Sequence, residues 1–502
     1  MSFPSRLSAI ESVLKDRFIH LKTNIFVILS ILASLTLYRS LFFLIFPDSN
    51  FNSDGAVMGI MANDITHLRH LPSTFYGQKY LLGIEAYLAV PFFLLFGSSI
   101  VSLKLPLFLM NFIFVYLLFY ILYKDLKVSS LASGLVTLMV AMAPLRPGIH
   151  MMMPDGANIE PYIYVLLTWI LRRKTYLLGF LLALFYWQRE FSLLGFLALI
   201  TTDIYMFYGN KNEVKKVLFS RFLTFCTGLA SYRFLAFFIS KSPTYYGSGA
   251  PRGAFSFENV YENILWLFNE ALFNILGFSN GDLEAGGLLH PITPLYEPLL
   301  FPLKVIFIFL LLHALFRIWK SRSITKKFSQ AEEFGYFLIA VGVLNFLVTA
   351  LFLKERNPTI LRYNLLFLFF PIGVILWNLK SHVRIHKFLA LIFIVIWSLS
   401  NLIGYHNLYK FYSSLPTDKK FELVKFLEQK KIKYAKVPYW DAYYLTFISQ
   451  EQLKVASSDH VRIGWLQDVV NKHEDEAALI KQTPCAEGKE ISQFYKWFIC
   501  HF

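Results

Sequence analysis

Charge is scarce in this sequence. Asp, Glu, Lys and Arg make up 16% of 502 residues, against about 25% in a soluble domain. Acidic residues are the scarcer half, 33 against 48 Lys and Arg, which leaves a formal net charge of +15. Cysteine is nearly absent, with three residues, and that excludes a small disulfide scaffold. The chain also lacks zinc-like Cys/His spacing, a phosphate-cradling glycine loop, a serine nucleophile elbow, an internal repeat and a low-complexity linker. These gaps exclude a cytosolic enzyme, a disordered chain and a fibrous repeat. What fills the space is apolar: 52 Phe, 28 Tyr, 56% hydrophobic residues and a mean hydropathy of +0.49. The composition is that of a polytopic, all-α membrane protein.

A bilayer span needs about 20 mostly apolar residues. Runs at 24–46, 105–123, 129–145, 159–171, 175–187, 191–208, 222–240, 301–318, 333–353, 362–379 and 388–405 predict eleven crossings. All should be helices, because a lipid-exposed backbone must satisfy its own hydrogen bonds. The run 83–97 spoils the alternation if it crosses, and reads as a re-entrant or juxtamembrane helix that takes the total to between 11 and 13 at most. Basic residues set the orientation. Arg6, Lys15, Arg17 and Lys22 precede the first run. Lys124/Lys127, Arg172-Arg173-Lys174, Lys211 to Arg221, Arg317 to Lys327 and Lys380 to Lys387 fill later loops. With the N-terminus inside, every one of these falls on the cytoplasmic side. That accounts for most of the positive charge without a nucleic-acid partner. Residues 1–23 then read as a cytoplasmic amphipathic segment, 24–405 as the transmembrane domain and 406–502 as an extracytoplasmic tail. The expected location is a cell inner (plasma) membrane, with the tail periplasmic or extracellular.

Three long segments share the outer side: 47–82, 241–300 and the tail. Long loops in compact proteins tend to carry function. In the tail, 418–430 places Phe421, Val424 and Leu427 on one helical face. Tyr434 to Val437 reads as a strand, Tyr443 to Ile448 as a helix and Leu453 to Ala456 as a second strand, together a small α/β unit. Cys485 and Cys500, fifteen positions apart, either pair in an oxidising compartment or stay free, and both readings stand open. Cys226, inside an apolar helix, reads as a small core residue.

The densest cluster follows the first span: Asn52-Ser53-Asp54-Gly55-Ala56-Val57-Met58-Gly59, on to Ala62-Asn63-Asp64. After it come Tyr76-Gly77-Gln78-Lys79-Tyr80 and Gly83-Ile84-Glu85. An acidic residue at the outer end of the first helix, then a short helix and a polar-aromatic turn, resembles the GT-C fold of membrane glycosyltransferases. Within it the chain looks most like the protein O-mannosyltransferase and aminoarabinose-transferase branch (glycosyltransferase family 39-like). A bacterial subgroup there carries Asp-x-Ala-x-x-Gly-x-x-Ala and Tyr-Gly-Gln-x-Tyr-x-Gly-x-x-Glu. Asp54, Gly59, Ala62, Tyr76, Gly77, Gln78, Tyr80, Gly83 and Glu85 match those positions, while Gly55-Ala56 and His67 depart from them. Further along, Trp187-Gln188-Arg189-Glu190-Phe191, Arg362-Tyr363 and Tyr439-Trp440-Asp441-Ala442-Tyr443-Tyr444-Leu445-Thr446-Phe447 are similar to later stretches of the same subgroup. The resemblance thus spans most of the chain and implies a reaction class, not a substrate.

That class moves a hexosyl or pentosyl group from a polyprenyl phosphate to an acceptor outside the cytoplasm. A phosphate leaves without a proton donor, so one carboxylate suffices, unlike the pair in glycoside hydrolysis. The resemblance assigns it to Asp54, either as the base that deprotonates an acceptor hydroxyl or as an oxygen ligand to a divalent cation such as magnesium or manganese. The plain alternative is a helix cap. Lys79, Arg189, Arg356 and Arg362 fall on the outer side at helix ends, against the orientation bias. Lys79, Arg189 and Arg362 are the expected phosphate ligands, the two arginines as bidentate clamps, with snorkelling to the headgroups as the alternative. Tyr76, Gln78, Glu85, Glu190, Asp155 and Tyr363 are the expected substrate contacts. Glu85 and Glu190 lie near membrane depth, where an ionisable group is functional or ion-paired. Asp155 and Glu160 sit in an outer loop whose plainest reading is a solvated turn, and His290 is a loop residue of the same standing. Most aromatic residues belong to packing and interface belts, a minority to a groove for the polyprenyl chain. The tail is expected to help hold the acceptor, whether glycan, lipid or protein. Two rivals remain: a transporter or lipid flippase, which would show broken half-helices around a midplane site, and a non-catalytic scaffold.

Overall fold

The computed structural model describes residues 25–78, 80–156, 158–241, 259–278, 281–285, 288–292, 297–321, 328–353, 356, 358–414, 419–485 and 490–501, with backbone alone for some of them, 281–298 included. The expected amphipathic N-terminus, Lys79 and the His290 side chain therefore lie outside what is described.

Among the described residues, eight helices are long and apolar enough to cross a membrane: Ile25–Ile45, Ile100–Asp125, Glu190–Phe207, Lys211–Ser240, Leu299–Lys320, Gln330–Phe352, Leu361–Leu379 and Arg384–Ser413. The other three expected crossings form shorter helices, Ser130–Ala141, Glu160–Ile170 and Thr175–Gln188, with 12, 11 and 14 residues. At 1.5 Å per residue they reach about 17–21 Å, short of a hydrocarbon core of about 30 Å. Residues 83–97 form the 13-residue helix Ile84–Phe96, which is short as well. Two of the helix boundaries carry charged residues. Thr175–Gln188 ends where Arg189 turns extended (φ −162°, ψ 119°), and Glu160 opens its helix directly before Pro161.

Apolar side chains point outward as well as inward. On Lys211–Ser240, Phe222, Phe225, Leu229 and Phe234 are each half or more exposed. Cys226 lies on the same helix and is exposed, so the core position expected for it is corrected. In a lipid solvent an apolar run carries no inward preference. Helices meet instead where backbones approach closely. A Cβ on Gly179 would stand 2.6 Å from the Thr224 carbonyl, and one on Gly228 would stand 3.1 Å from the Gly179 carbonyl. Such small-residue contacts join Thr175–Gln188 to Lys211–Ser240.

The C-terminal unit carries a five-stranded sheet in the order Lys454–Ser457, Tyr434–Val437, Ala478–Lys481, Trp497–His501, Glu490–Phe494. The first three strands run parallel and the last two pair antiparallel. Lys419–Gln429 packs Leu423, Val424 and Leu427 on it, with Val437, Val455 and Ile499 across the layer. Phe421 turns aside to the Tyr444 ring, 6.5 Å away. Cys485 and Cys500 form a disulfide with Cα atoms 5.7 Å apart. The helix expected to begin at Tyr443 begins at Tyr439, straight after Pro438.

That Tyr439–Ile448 helix docks on Ser53–Thr66. The latter is buried along nearly its whole length. At Gly59 a Cβ would fall inside the Phe447 ring's contact distance. Phe51, Phe93 and Tyr444 surround the same ring system, with centroids 5.3–6.3 Å apart.

Candidate active site

Asn52 caps the Ser53–Thr66 helix, its side chain accepting from the Gly55 amide at 3.0 Å. Asp54 therefore stands inside the first turn, and the capping alternative passes to Asn52. The Asp54 side chain keeps 10% exposure. Its Oδ1 accepts a hydrogen bond from the Tyr439 hydroxyl, and Arg462 Nη2 lies 3.8 Å from the same oxygen. Its Oδ2 has no hydrogen-bond partner among the described residues. Burial, together with the Asp54 carboxylate, holds the Tyr439 phenol well above its usual range, so it remains a donor.

Arg462 is gripped by acceptors. Nη1 donates to the Gly77 carbonyl at 3.3 Å and Nε to the Tyr439 hydroxyl at 3.4 Å. With the Gln78 amide turned so that its oxygen faces the guanidinium, that oxygen accepts from Nη1 and Nη2 at 2.8 Å each. Gly77 has φ +71°, and a Cβ there would stand 2.7 Å from the Arg462 side chain. Only glycine meets both conditions easily.

A second group lies beside the first. Asp155 Oδ2 accepts from Arg362 Nη1 at 3.3 Å, and Asp155 Oδ1 accepts from Asn158. The expected solvated turn is corrected: Asp155 is 7% and Glu160 2% exposed. Burial raises the Asp155 pKa, Arg362 opposes the rise, and Asp54 is near enough to add to it. Arg189 and Arg362 both face the Tyr363 ring, 5.6 and 5.3 Å from its centroid. With Asn158, Tyr162 and Phe191 they line a small pocket. Arg362 Nε is buried there without a hydrogen-bond partner among the described residues. A fixed, unsatisfied guanidinium donor at a pocket is an anion receptor. Tyr80 links the two groups, since Arg462, Tyr363, Arg189 and Glu190 all act on its phenol.

The remaining expected residues fall elsewhere. Tyr76 is 1% exposed, and its hydroxyl donates to Asp64 at 2.7 Å. Asp64 is ten residues beyond Asp54, about 15 Å along the helix axis. Glu85 is 2% exposed and lies near the Glu160 carboxyl, which accepts from Gln188 at 3.2 Å. Arg356 pairs with Glu262 and donates to Asn263 at 3.2 Å. Sequence reasoning missed Arg462 and gave Tyr439 no role, although Tyr439 opened one of the matched stretches. Arg462 carried no signal of its own, lying in the polar loop Ser457-Ser458-Asp459-His460 to Ile463.

A divalent cation asks for several oxygen ligands in one cage. Asp54 is met by a phenol and a guanidinium, and Asp155 by a guanidinium and an amide nitrogen. No cluster of three or more His, Cys, Asp or Glu forms among the described residues. This donor set does not fit a cation cage.

No family model matches the chain, and no curated protein matches it in sequence. Solved structures do. The apo oligosaccharyltransferase of Archaeoglobus fulgidus is similar at a TM-score of 0.50 with 10% identity, over 92% of this chain and 70% of that one. The archaeal oligosaccharyltransferase AglB from the same organism, in complex with an inhibitory peptide and a dolichol-phosphate, aligns at 0.46 with 11% identity over 87% and 64%. ArnT of Cupriavidus metallidurans, bound to undecaprenyl phosphate, aligns at 0.49 with 8% identity over 94% and 97%. The first of these similarities runs through the membrane helices and the C-terminal unit alike, and the chain has the GT-C fold.

Proposed function

We propose that this protein is a membrane glycosyltransferase that moves a sugar from a polyprenyl-phosphate donor to an acceptor hydroxyl on the extracytoplasmic face of a cell inner (plasma) membrane. The observation that carries the reading is the arginine pair. Arg189 and Arg362 meet over one tyrosine ring at one pocket, with a buried unsatisfied donor, beside a carboxylate whose second oxygen is available. The fold shared with an oligosaccharyltransferase supports the same class of chemistry.

The geometry supports the following roles. The acceptor oxygen attacks the anomeric carbon as the bond from that carbon to the phosphate oxygen breaks. The bond's electrons leave with the polyprenyl phosphate, and the acceptor's proton passes to Asp54 Oδ2. Arg189 and Arg362 hold the phosphate charge as it grows, and Lys79, next to Gln78 in the chain, is assigned to the same anion. Asp155 fixes Arg362. Tyr363 gives both guanidinium groups a flat surface. Tyr80, near charged members of both groups, and Glu190, beside Arg189 in the chain, are assigned to substrate contact. The basic loops support an orientation with the N-terminus in the cytoplasm and the C-terminal unit outside.

The test begins with envelope glycans compared by mass spectrometry in cells with and without the protein, which should reveal one that depends on it. Asp54→Asn and Asp54→Ala should abolish that glycan at unchanged protein level in the membrane. Arg362→Ala should weaken undecaprenyl phosphate binding by the purified protein at least about tenfold, the loss of one charge-assisted contact. A glycan that persists in the Asp54 variants removes that carboxylate from the chemistry.

A further inference from the structure

Two residues of the C-terminal unit reach the carboxylate assigned to catalysis. Tyr439 donates to Asp54 Oδ1, and the neighbouring Ser53 hydroxyl donates back to the Tyr439 carbonyl. Arg462 approaches the same Oδ1 at 3.8 Å and also donates to the Tyr439 hydroxyl at 3.4 Å. Neither residue is loosely placed. The Tyr439 amide donates to Asp459 Oδ1 at 2.8 Å, and that carboxylate also accepts from Ser457 at 2.9 Å. The Arg462 backbone amide donates to the Tyr443 hydroxyl at 2.7 Å, and the Ile463 amide to the same oxygen at 3.2 Å. Gln78 and Gly77 grip the guanidinium from the membrane part.

We infer that Tyr439 and Arg462 are positioning residues for Asp54, so that the C-terminal unit is an integral part of the active site. The inference rests on the function proposed above. A carboxylate on its own rotates about χ2 and offers either oxygen. A hydrogen bond to Oδ1 stops that rotation and leaves Oδ2 as the oxygen that takes the acceptor's proton. The hydroxyl of Tyr439 is held in turn by Arg462, which therefore acts on Asp54 both directly and through the phenol. This explains why Gln78 and Gly77 hold a guanidinium with neutral acceptors: their work is orientation, and the charge is left for Asp54.

The experiment uses the full-length protein. Tyr439→Phe keeps the ring and its packing and removes the hydrogen bond. Arg462→Gln keeps a polar, hydrogen-bonding side chain, though a shorter one, and removes the charge. Three quantities are read for each: the protein-dependent glycan in cells, binding of undecaprenyl phosphate by purified protein, and the melting temperature. The expected result is a loss of glycan of at least about tenfold, with lipid binding and melting temperature unchanged. Glycan at the wild-type level in Tyr439→Phe overturns the inference and leaves the proposed function standing. Loss of lipid binding or of melting temperature along with the glycan also overturns it, because a merely structural contact would do that. If no glycan depends on the protein, or Arg362→Ala binds undecaprenyl phosphate normally, the proposed function falls instead.

Discussion

At the scale of the residue, the site divides into what a sequence can announce and what it cannot. Asp54 was singled out by its place eight positions past the first apolar run and by the resemblance of the motif around it, with Gly59, Gly77 and Gln78, to a known family. Arg189 and Arg362 were legible as cations at helix ends where cations are disfavoured. Arg462 was not, since an arginine in a polar loop is unremarkable until its partners are known, and those lie in the turn at Gly77 and Gln78, 385 positions earlier for the glycine. Cys226 misled for a physical reason: the rule that apolar means inside fails in lipid. Gly59 supplies a test at this scale. Its missing side chain lets the Phe447 ring lie on the helix backbone. Gly59→Val should cost about 1–3 kcal/mol by overpacking and loosen the Tyr439–Ile448 helix, seen as faster limited proteolysis of the C-terminal unit. Cleavage at the wild-type rate would mean that this contact does not hold the unit in place.

At the scale of the element, the α/β expectation for the tail found its first helix and two of its five strands, where period-2 and period-3.6 alternation survive in an aqueous segment, but not the Gly464–Lys472 helix or the three strands after it. The membrane part was harder. Runs at 129–145, 159–171 and 175–187 promised crossings and gave short helices. Hydropathy counts apolar residues but does not see where Glu160, Gln188 and Arg189 interrupt them. A clamp also joins elements across the docking face. Arg69 donates to Glu451 at 2.6 and 2.7 Å and pairs with Asp64 at 2.9 Å, and Asn63 donates to Glu451 at 2.8 Å. These contacts hold the Glu451 pKa below its usual 4.5, against the opposing effect of burial. A depressed folded pKa means stability that is complete above about pH 4.5 and is lost as pH falls through the lower folded value. Asp64 runs the other way, because burial raises its pKa, so the comparison should isolate Glu451. Wild type should melt above Glu451→Gln at pH 7, by an amount near 1 kcal/mol given the 40% exposure of Arg69. The gap should close as pH falls below 4.5 through the lowered Glu451 pKa. A gap that does not change with pH would mean that the clamp works through shape and not charge.

At the scale of the whole molecule, the scarcity of charge becomes a description of surroundings. The exposed Phe222, Phe225, Leu229 and Phe234 need an apolar solvent, and Cys226 sits midway along the same helix as the one free cysteine among the described residues. In intact membranes Cys226 should resist a membrane-impermeant maleimide and react once the protein is denatured in detergent. Rapid labelling in intact membranes would put that helix in water. The docking of Tyr439 on Asp54 has a further consequence, in time and not in space. The pair is 385 positions apart, so a ribosome-bound chain that has already inserted its first helices still has an open carboxylate and no fixed proton acceptor. If the proposed roles of Asp54 and Tyr439 hold, a chain still in synthesis transfers sugar slowly at best, and full activity waits until the distal segment has folded onto the first loop.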